Sequence, residues 1–170
     1  MNTFFRILFL FIILGLANNV KGQANKLFTQ NEIDSLNSFY TPLYPSDSLD
    51  ISRLLNYQYI YVFYFNGECS LCLNKMQEAD LFYQEHKNDY LKTFFIVETS
   101  DTITFNFYRD KFNIDTQILW DQNYNLIDQA INTCFLIDKS GNIVIEGDFI
   151  NDDKEQKEYI NIIKQMITRN

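Results

Sequence analysis

The chain has 170 residues, a formal net charge of -8 and an aromatic content of 16%, with only five Gly and two Pro. The negative balance and the lack of any Lys- or Arg-rich stripe exclude a nucleic-acid footprint, and the scarcity of Gly and Pro excludes a low-complexity protein. The abundance of Phe, Tyr and Ile supplies the material for one packed core without disulfide staples.

Residues 1–22 read as a secretory leader. Arg6 carries the positive charge, Ile7 to Leu16 form a short apolar run, and Val20-Lys21-Gly22 precedes a cut placed after Gly22. That run is short for a hydrocarbon layer of ~30 Å, which favours cleavage over a membrane tether reaching back through Phe4 and Phe5. No Cys near the cut offers a thiol for a lipid anchor. Export to an extracytoplasmic or periplasmic compartment implies that disulfides persist there, so the three cysteines each need an account.

Residues 23–58 form a polar lead-in, interrupted by Pro42 and Pro45, with a short helical pattern over Ser48 to Leu55; they are not a second domain. The domain is expected over 59–170. Its first segment, Tyr59 to Phe65, is an unbroken β-branched and aromatic run, the signature of a strand buried on both faces. Asn66-Gly67-Glu68 supplies a turn, and Cys72, Met76, Ala79 and Tyr83 then recur at helical spacing. Thr93 to Glu98 predicts a second buried strand, followed by an amphipathic helix with Ile103, Phe107, Tyr108 and Phe112 on its apolar side, ending near Asn113.

Gln117 to Trp120 predicts a short extra strand, and Asp121 to Asn125 a polar connection. A hairpin follows, its arms Thr133 to Ile137 and Asn142 to Ile145 joined through Asp138-Lys139-Ser140-Gly141. From Asp152, the stripe Tyr159, Ile160, Ile163, Met166 and Ile167 marks a closing helix with acidic residues at its start. The order is β-α-β-α-(β)-β-β-α, without an internal repeat.

Cys69-Ser70-Leu71-Cys72 falls where the first strand turns into its helix. Cys-x-x-Cys alone serves a redox pair, a structural disulfide or half a zinc site. A first Cys at a helix N-terminus is surrounded by unpaired backbone N–H groups and the positive end of the dipole, which favour thiolate and make Cys69 the nucleophile. Cys72, one turn in, is placed to resolve the mixed disulfide. Glu68 opposes the thiolate, which argues against an extreme oxidant. A closed zinc site needs four ligands, whereas beyond the pair there are one His (His86) and one distant Cys (Cys134). No metal and no cofactor is expected. Cys134 reads as a small core hydrophobe, with a third redox thiol as the alternative, and Trp120 as packing.

The strand Tyr59 to Phe65, the Cys69–Cys72 motif, Ile118-Leu119-Trp120-Asp121 and the hairpin Cys134 to Val144 together resemble the TlpA-type, extracytoplasmic redoxins of the thioredoxin-like superfamily, over roughly Leu49 to the C-terminus. The resemblance implies an α/β thioredoxin-like fold, a central mixed sheet flanked by helices, and thiol-disulfide exchange with protein thiols and disulfides, fed by an unidentified electron donor. It also places Glu68, Ile131 and Asn132 on the substrate-docking surface. Glu68 stands where the family usually has an aromatic residue and Asn132 where it commonly has a cis-proline. A non-proline cis bond costs ~2.5 to 4 kcal/mol, so Ile131–Asn132 is expected to be trans and the docking edge reshaped. Phe63 stands where thioredoxin carries a buried acid, leaving water or Glu68 to exchange a proton with Cys72. These departures leave a catalytically weak or inactive binding module of the same fold as the alternative function. A peroxiredoxin would carry Thr three residues before its thiol, where this chain has Asn66.

Overall fold

The computed structural model describes residues 26–126 and 133–168. The leader expected over 1–22 lies outside the described residues. Tyr59–Asn66 forms the central strand β2 because its side chains are apolar on both sides of the pleat: Ile60, Val62 and Tyr64 enter one core, Tyr61, Phe63 and Phe65 the other. It pairs in parallel with β3 (Leu91–Glu98) and antiparallel with β5 (Thr133–Asp138). β3 pairs in parallel with β4 (Ile118–Trp120), and β5 antiparallel with β6 (Ile143–Gly147). A two-residue strand, β1 (Thr41–Pro42), borders β4, so the six-stranded mixed sheet runs β1-β4-β3-β2-β5-β6.

Three helices cover the Phe63 face. The helix after β2, α4 (Ser70–His86), buries Cys72, Leu73, Met76, Ala79 and Phe82; α5 (Thr102–Phe112) buries Phe105; and α6 (Asp153–Thr168) buries Tyr159 and Ile163. The side chains of Met166 and Ile167 lie outside those described. The opposite face is covered by the lead-in, where Leu27, Phe28, Ile33, Leu36, Leu49 and Leu54 pack on Val62, Phe94 and Phe135. Its helices are short: α1 (Gln30–Asp34), α2 (Leu36–Phe39), a 3-10 turn at Pro45–Asp47, and α3 (Ile51–Leu54), which is narrower than the pattern over Ser48 to Leu55. Local polar groups hold them. Thr29 and Glu32 form a reciprocal capping box on α1, and Asp50 caps α3.

The hairpin turn needs Gly141 for two reasons. Its φ is +80°, and a Cβ there would lie 2.0 Å from the carbonyl oxygen of Phe28, where the lead-in crosses. Leu27 N–H donates to the Gly141 carbonyl at 3.0 Å, tying the lead-in to the turn.

The second helix keeps its predicted end, with Asn113 in the left-handed region at φ 52°, and half of its predicted apolar side: Tyr108 and Phe112 pack on the core, whereas Ile103 and Phe107 do not. Ile103 and Phe107 are 84% and 62% exposed, while Phe105 and Arg109 are buried. The reason is a buried ion pair that apolar periodicity does not register. Arg109 Nη1 and Nη2 donate to Asp47 Oδ2 and Oδ1 at 2.6 and 2.7 Å, and the guanidinium stacks 4.5 Å from the Tyr44 ring. Rotating α5 to bury Phe107 would carry Arg109 away from that carboxylate.

Candidate functional site

At the C-terminal end of β2 the chain turns through Gly67, which lies so close to β3 and α5 that a Cβ would sit 2.8 Å from Val97 Cγ2 and 3.0 Å from the Phe105 ring. Gly67 N–H donates to the Glu98 carbonyl at 2.8 Å, extending the β3 contact into the turn. Cys69 is the N-cap of α4, in extended conformation, and its Sγ accepts from Cys72 N–H at 3.3 Å. Its sulfur therefore sits where the first-turn amides of the helix are unpaired and the dipole is positive.

Cys69 and Cys72 are joined as a disulfide, with Cα atoms 5.1 Å apart. Cys69 is half-buried, Cys72 only 3% exposed, and Leu71 between them 74% exposed. One sulfur thus lies nearer solvent and the other is tucked beneath the helix start. On the α4 side of the sheet β2 is aromatic: Phe63 stacks on Phe65 at 5.0 Å and meets Phe95 edge-on at 5.7 Å, and none of residues 59–65 is an acid. One turn beyond Cys72, Lys75 is paired with Asp148, which follows β6, and both side chains are about one-third exposed.

Glu68 does not hang free beside Cys69. Its Oε1 accepts from both the backbone N–H and the hydroxyl of Ser100, at 2.6 and 2.5 Å, and these bonds hold its carboxyl below the usual range. Asn66 Oδ1 accepts from Glu68 N–H at 2.8 Å. A groove of about 370 Å³ runs along this contact, between Glu68 and Ser70 on one side and Ser100, Asp101 and Tyr108 on the other. Ile131 and Asn132 lie outside the described residues. Ser100 escaped the sequence reading because nothing local marks it: it meets Glu68 across 32 residues.

Cys134 is paired with Phe63 across β2 and β5 and points into the same core. It is a free thiol, 1% exposed, and receives a hydrogen bond from the Tyr61 hydroxyl at 2.9 Å. Burial pushes its pKa up to about 12, so it stays a neutral thiol at physiological pH. His86 ends α4, with Nδ1 2.8 Å from the Phe82 carbonyl oxygen and its ring against Phe82. Trp120 Nε1 donates to the Thr99 carbonyl at 3.0 Å, a packing role on the β3–α5 turn. Among the described residues no group of three His, Cys, Asp or Glu side chains is gathered for a metal, and no helix is long and apolar enough to cross a membrane.

No protein-family model and no curated protein matches this chain. Solved structures do. The thioredoxin domain of a thiol-disulfide oxidoreductase from Bacteroides vulgatus aligns with a TM-score of 0.53 and 13% identity, over 64% of this chain and 81% of that one. A thiol-disulfide oxidoreductase from Bacteroides fragilis gives 0.53 and 14%, over 62% and 81%. A thioredoxin-like protein in its oxidised form gives 0.51 and 15%, over 63% and 78%. At these identities the likeness establishes the fold, an α/β thioredoxin-like mixed sheet flanked by helices.

Proposed function

We propose that this thioredoxin-like chain is an extracytoplasmic thiol-disulfide oxidoreductase of TlpA type, with Cys69 as nucleophile and Cys72 as resolving thiol. The observation that carries the reading is the graded burial of two bonded sulfurs at the N-terminus of α4, the outer one within reach of a partner and the inner one covered. The extra strand β4, between α5 and the hairpin and parallel to β3, supports the kinship with TlpA-type redoxins. The leader over residues 1–22 supports the compartment, where a disulfide at Cys69–Cys72 would persist.

Exchange runs in two steps. The Cys69 thiolate attacks one sulfur of a substrate disulfide; that S–S bond breaks, a mixed disulfide forms, and the departing sulfur takes a proton. Cys72, deprotonated, then attacks Cys69 Sγ, forming the intramolecular disulfide and releasing the second substrate thiol. The substrate gains two electrons and two protons, and a dithiol electron donor returns the pair to its reduced form. With no acid along β2, the Cys72 proton leaves through solvent or Glu68. Substrate docks across Glu68 and the Ile131–Asn132 segment.

Reduction of insulin-type protein disulfides tests this. Wild type turns over, Cys69→Ser does not, and Cys72→Ser accumulates mixed disulfides through Cys69 in mass spectrometry. Equal activity in wild type and Cys69→Ser would overturn the reading in favour of a binding module that keeps only the fold.

A further inference from the structure

A carboxylate one residue ahead of the nucleophile works against exchange, because a second negative charge close by disfavours the thiolate. The described ionisable groups around the start of α4 do little to offset it. Asp101 at the start of α5 is also acidic, Tyr108 lies in the same groove, and Lys75 on α4 is already paired with Asp148 from the β6 end. The geometry supplies a remedy at Ser100. Two donors from this one residue converge on Glu68 Oε1, at 2.6 and 2.5 Å, and Gly67 brings the turn close enough to β3 and α5 for them to do so.

We propose that Ser100 is a positioning residue for thiol-disulfide exchange: by holding the Glu68 carboxylate on the β3–α5 turn, it keeps that charge off the Cys69 sulfur and leaves the α4 N-terminus free to stabilise the thiolate. The inference rests on the redox reading of Cys69 and Cys72. It explains how an acid is tolerated beside the nucleophile, and it gives an exposed serine in a loop a role in the chemistry through Glu68 alone.

The test is the pH profile of Cys69 alkylation by iodoacetamide in the reduced full chain, read peptide by peptide in mass spectrometry. Ser100→Ala removes the hydroxyl donor and leaves Glu68 held by the backbone N–H alone, so the carboxylate is less firmly kept from Cys69, the profile moves to higher pH and the rate at pH 7 falls by up to roughly twofold, within the range of a partly screened surface charge interaction. Ser100→Thr, which keeps a hydroxyl, restores the wild-type profile. Glu68→Gln leaves the profile close to that of the wild type, because the held carboxylate is already off the sulfur, and in that background Ser100→Ala changes nothing further. An unshifted Ser100→Ala profile, or the same shift with and without the Glu68 charge, overturns the proposal. Should Ser100→Ala fail to fold, Ser100→Gly, which also removes the hydroxyl, takes its place: the proposal requires a shift to higher pH that vanishes in the Glu68→Gln background. If wild-type Cys69 alkylates no faster than an exposed model thiol, the redox reading itself is overturned and the proposal with it.

Discussion

One face of the sheet is covered by three helices of 11 to 17 residues, the other by helices of no more than five residues joined through turns. Both faces bury large side chains, Phe63, Phe95 and Tyr159 on the first, Phe28, Tyr64 and Phe135 on the second. They differ in how the cover is held. A long helix presents a continuous apolar stripe and needs few polar devices. Short pieces leave most of their backbone groups without intrahelical partners, and side chains must supply them. Hence the capping box at Thr29 and Glu32, the Asp50 cap, and Asn37, whose amide donates to the Leu49 carbonyl and whose oxygen accepts from Leu49 N–H. The Cys69–Cys72 disulfide sits on the helical face, at the start of α4. The lead-in gives the sheet its second cover and, through Asp47, one direct hold on α5.

That hold is the contact whose loss should destabilise the protein most. Asp47→Ala leaves a buried guanidinium unpaired and is expected to cost about 3 to 5 kcal/mol in urea unfolding. Replacing both partners, Asp47→Leu with Arg109→Met, is expected to recover most of that loss, since the desolvation penalty of both charges disappears. Recovery would show that the pair sets the register of α5 on the lead-in more than it adds net stability. A cost below about 1 kcal/mol for the single change would mean that the two covers are not coupled through this contact.

Two phenylalanines two positions apart on α5 separate its core side from its solvent side. Phe105→Ala empties part of the helical core and should cost about 3 to 5 kcal/mol, whereas Phe107→Ala, on the solvent side, should stay within about 0.5 kcal/mol. Thermal or urea midpoints decide it, and reversed sensitivities would restore the helix phase expected from periodicity.

The smallest effect is acid dependence. The Asp101 carboxyl is held below its ordinary range by the Thr104 backbone N–H at the start of α5, and Asp50 by Ser52 and the Arg53 N–H at the start of α3. A depressed folded pKa contributes stability that is present above the unfolded value and is lost as pH falls through the folded one. Unfolding midpoints measured from pH 7 down to pH 2 should therefore decline below about pH 4, and Asp101→Asn and Asp50→Asn should each flatten that decline a little. An unchanged slope in both variants would show that these caps contribute nothing through their charge.

Tyr59 to Phe65 was legible as a central strand because no other element buries seven consecutive large apolar residues so readily, and the Gly67 turn followed from the loss of that texture. The Cys69–Cys72 motif was legible for a local reason too: a strand, a turn and a helix start are each written within a few residues. The core-facing side of α5 was legible only in part, at Tyr108 and Phe112. Periodicity weighs Ile103 and Phe107 as apolar and Arg109 as polar, and only a carboxylate 62 residues away makes burying the Arg favourable.

The amino-acid sequence by itself determined the strand order along the chain, the hairpin, the closing helix and the place where two sulfurs meet a helix N-terminus, because each depends on residues close together in the chain. Only the tertiary structure decided that residues 27–54 seal the second face, that Asp47 takes Arg109 inside, and that Ser100 holds Glu68. The last two contacts join residues 62 and 32 positions apart, and their partners are chosen by how whole elements pack, which no local pattern encodes.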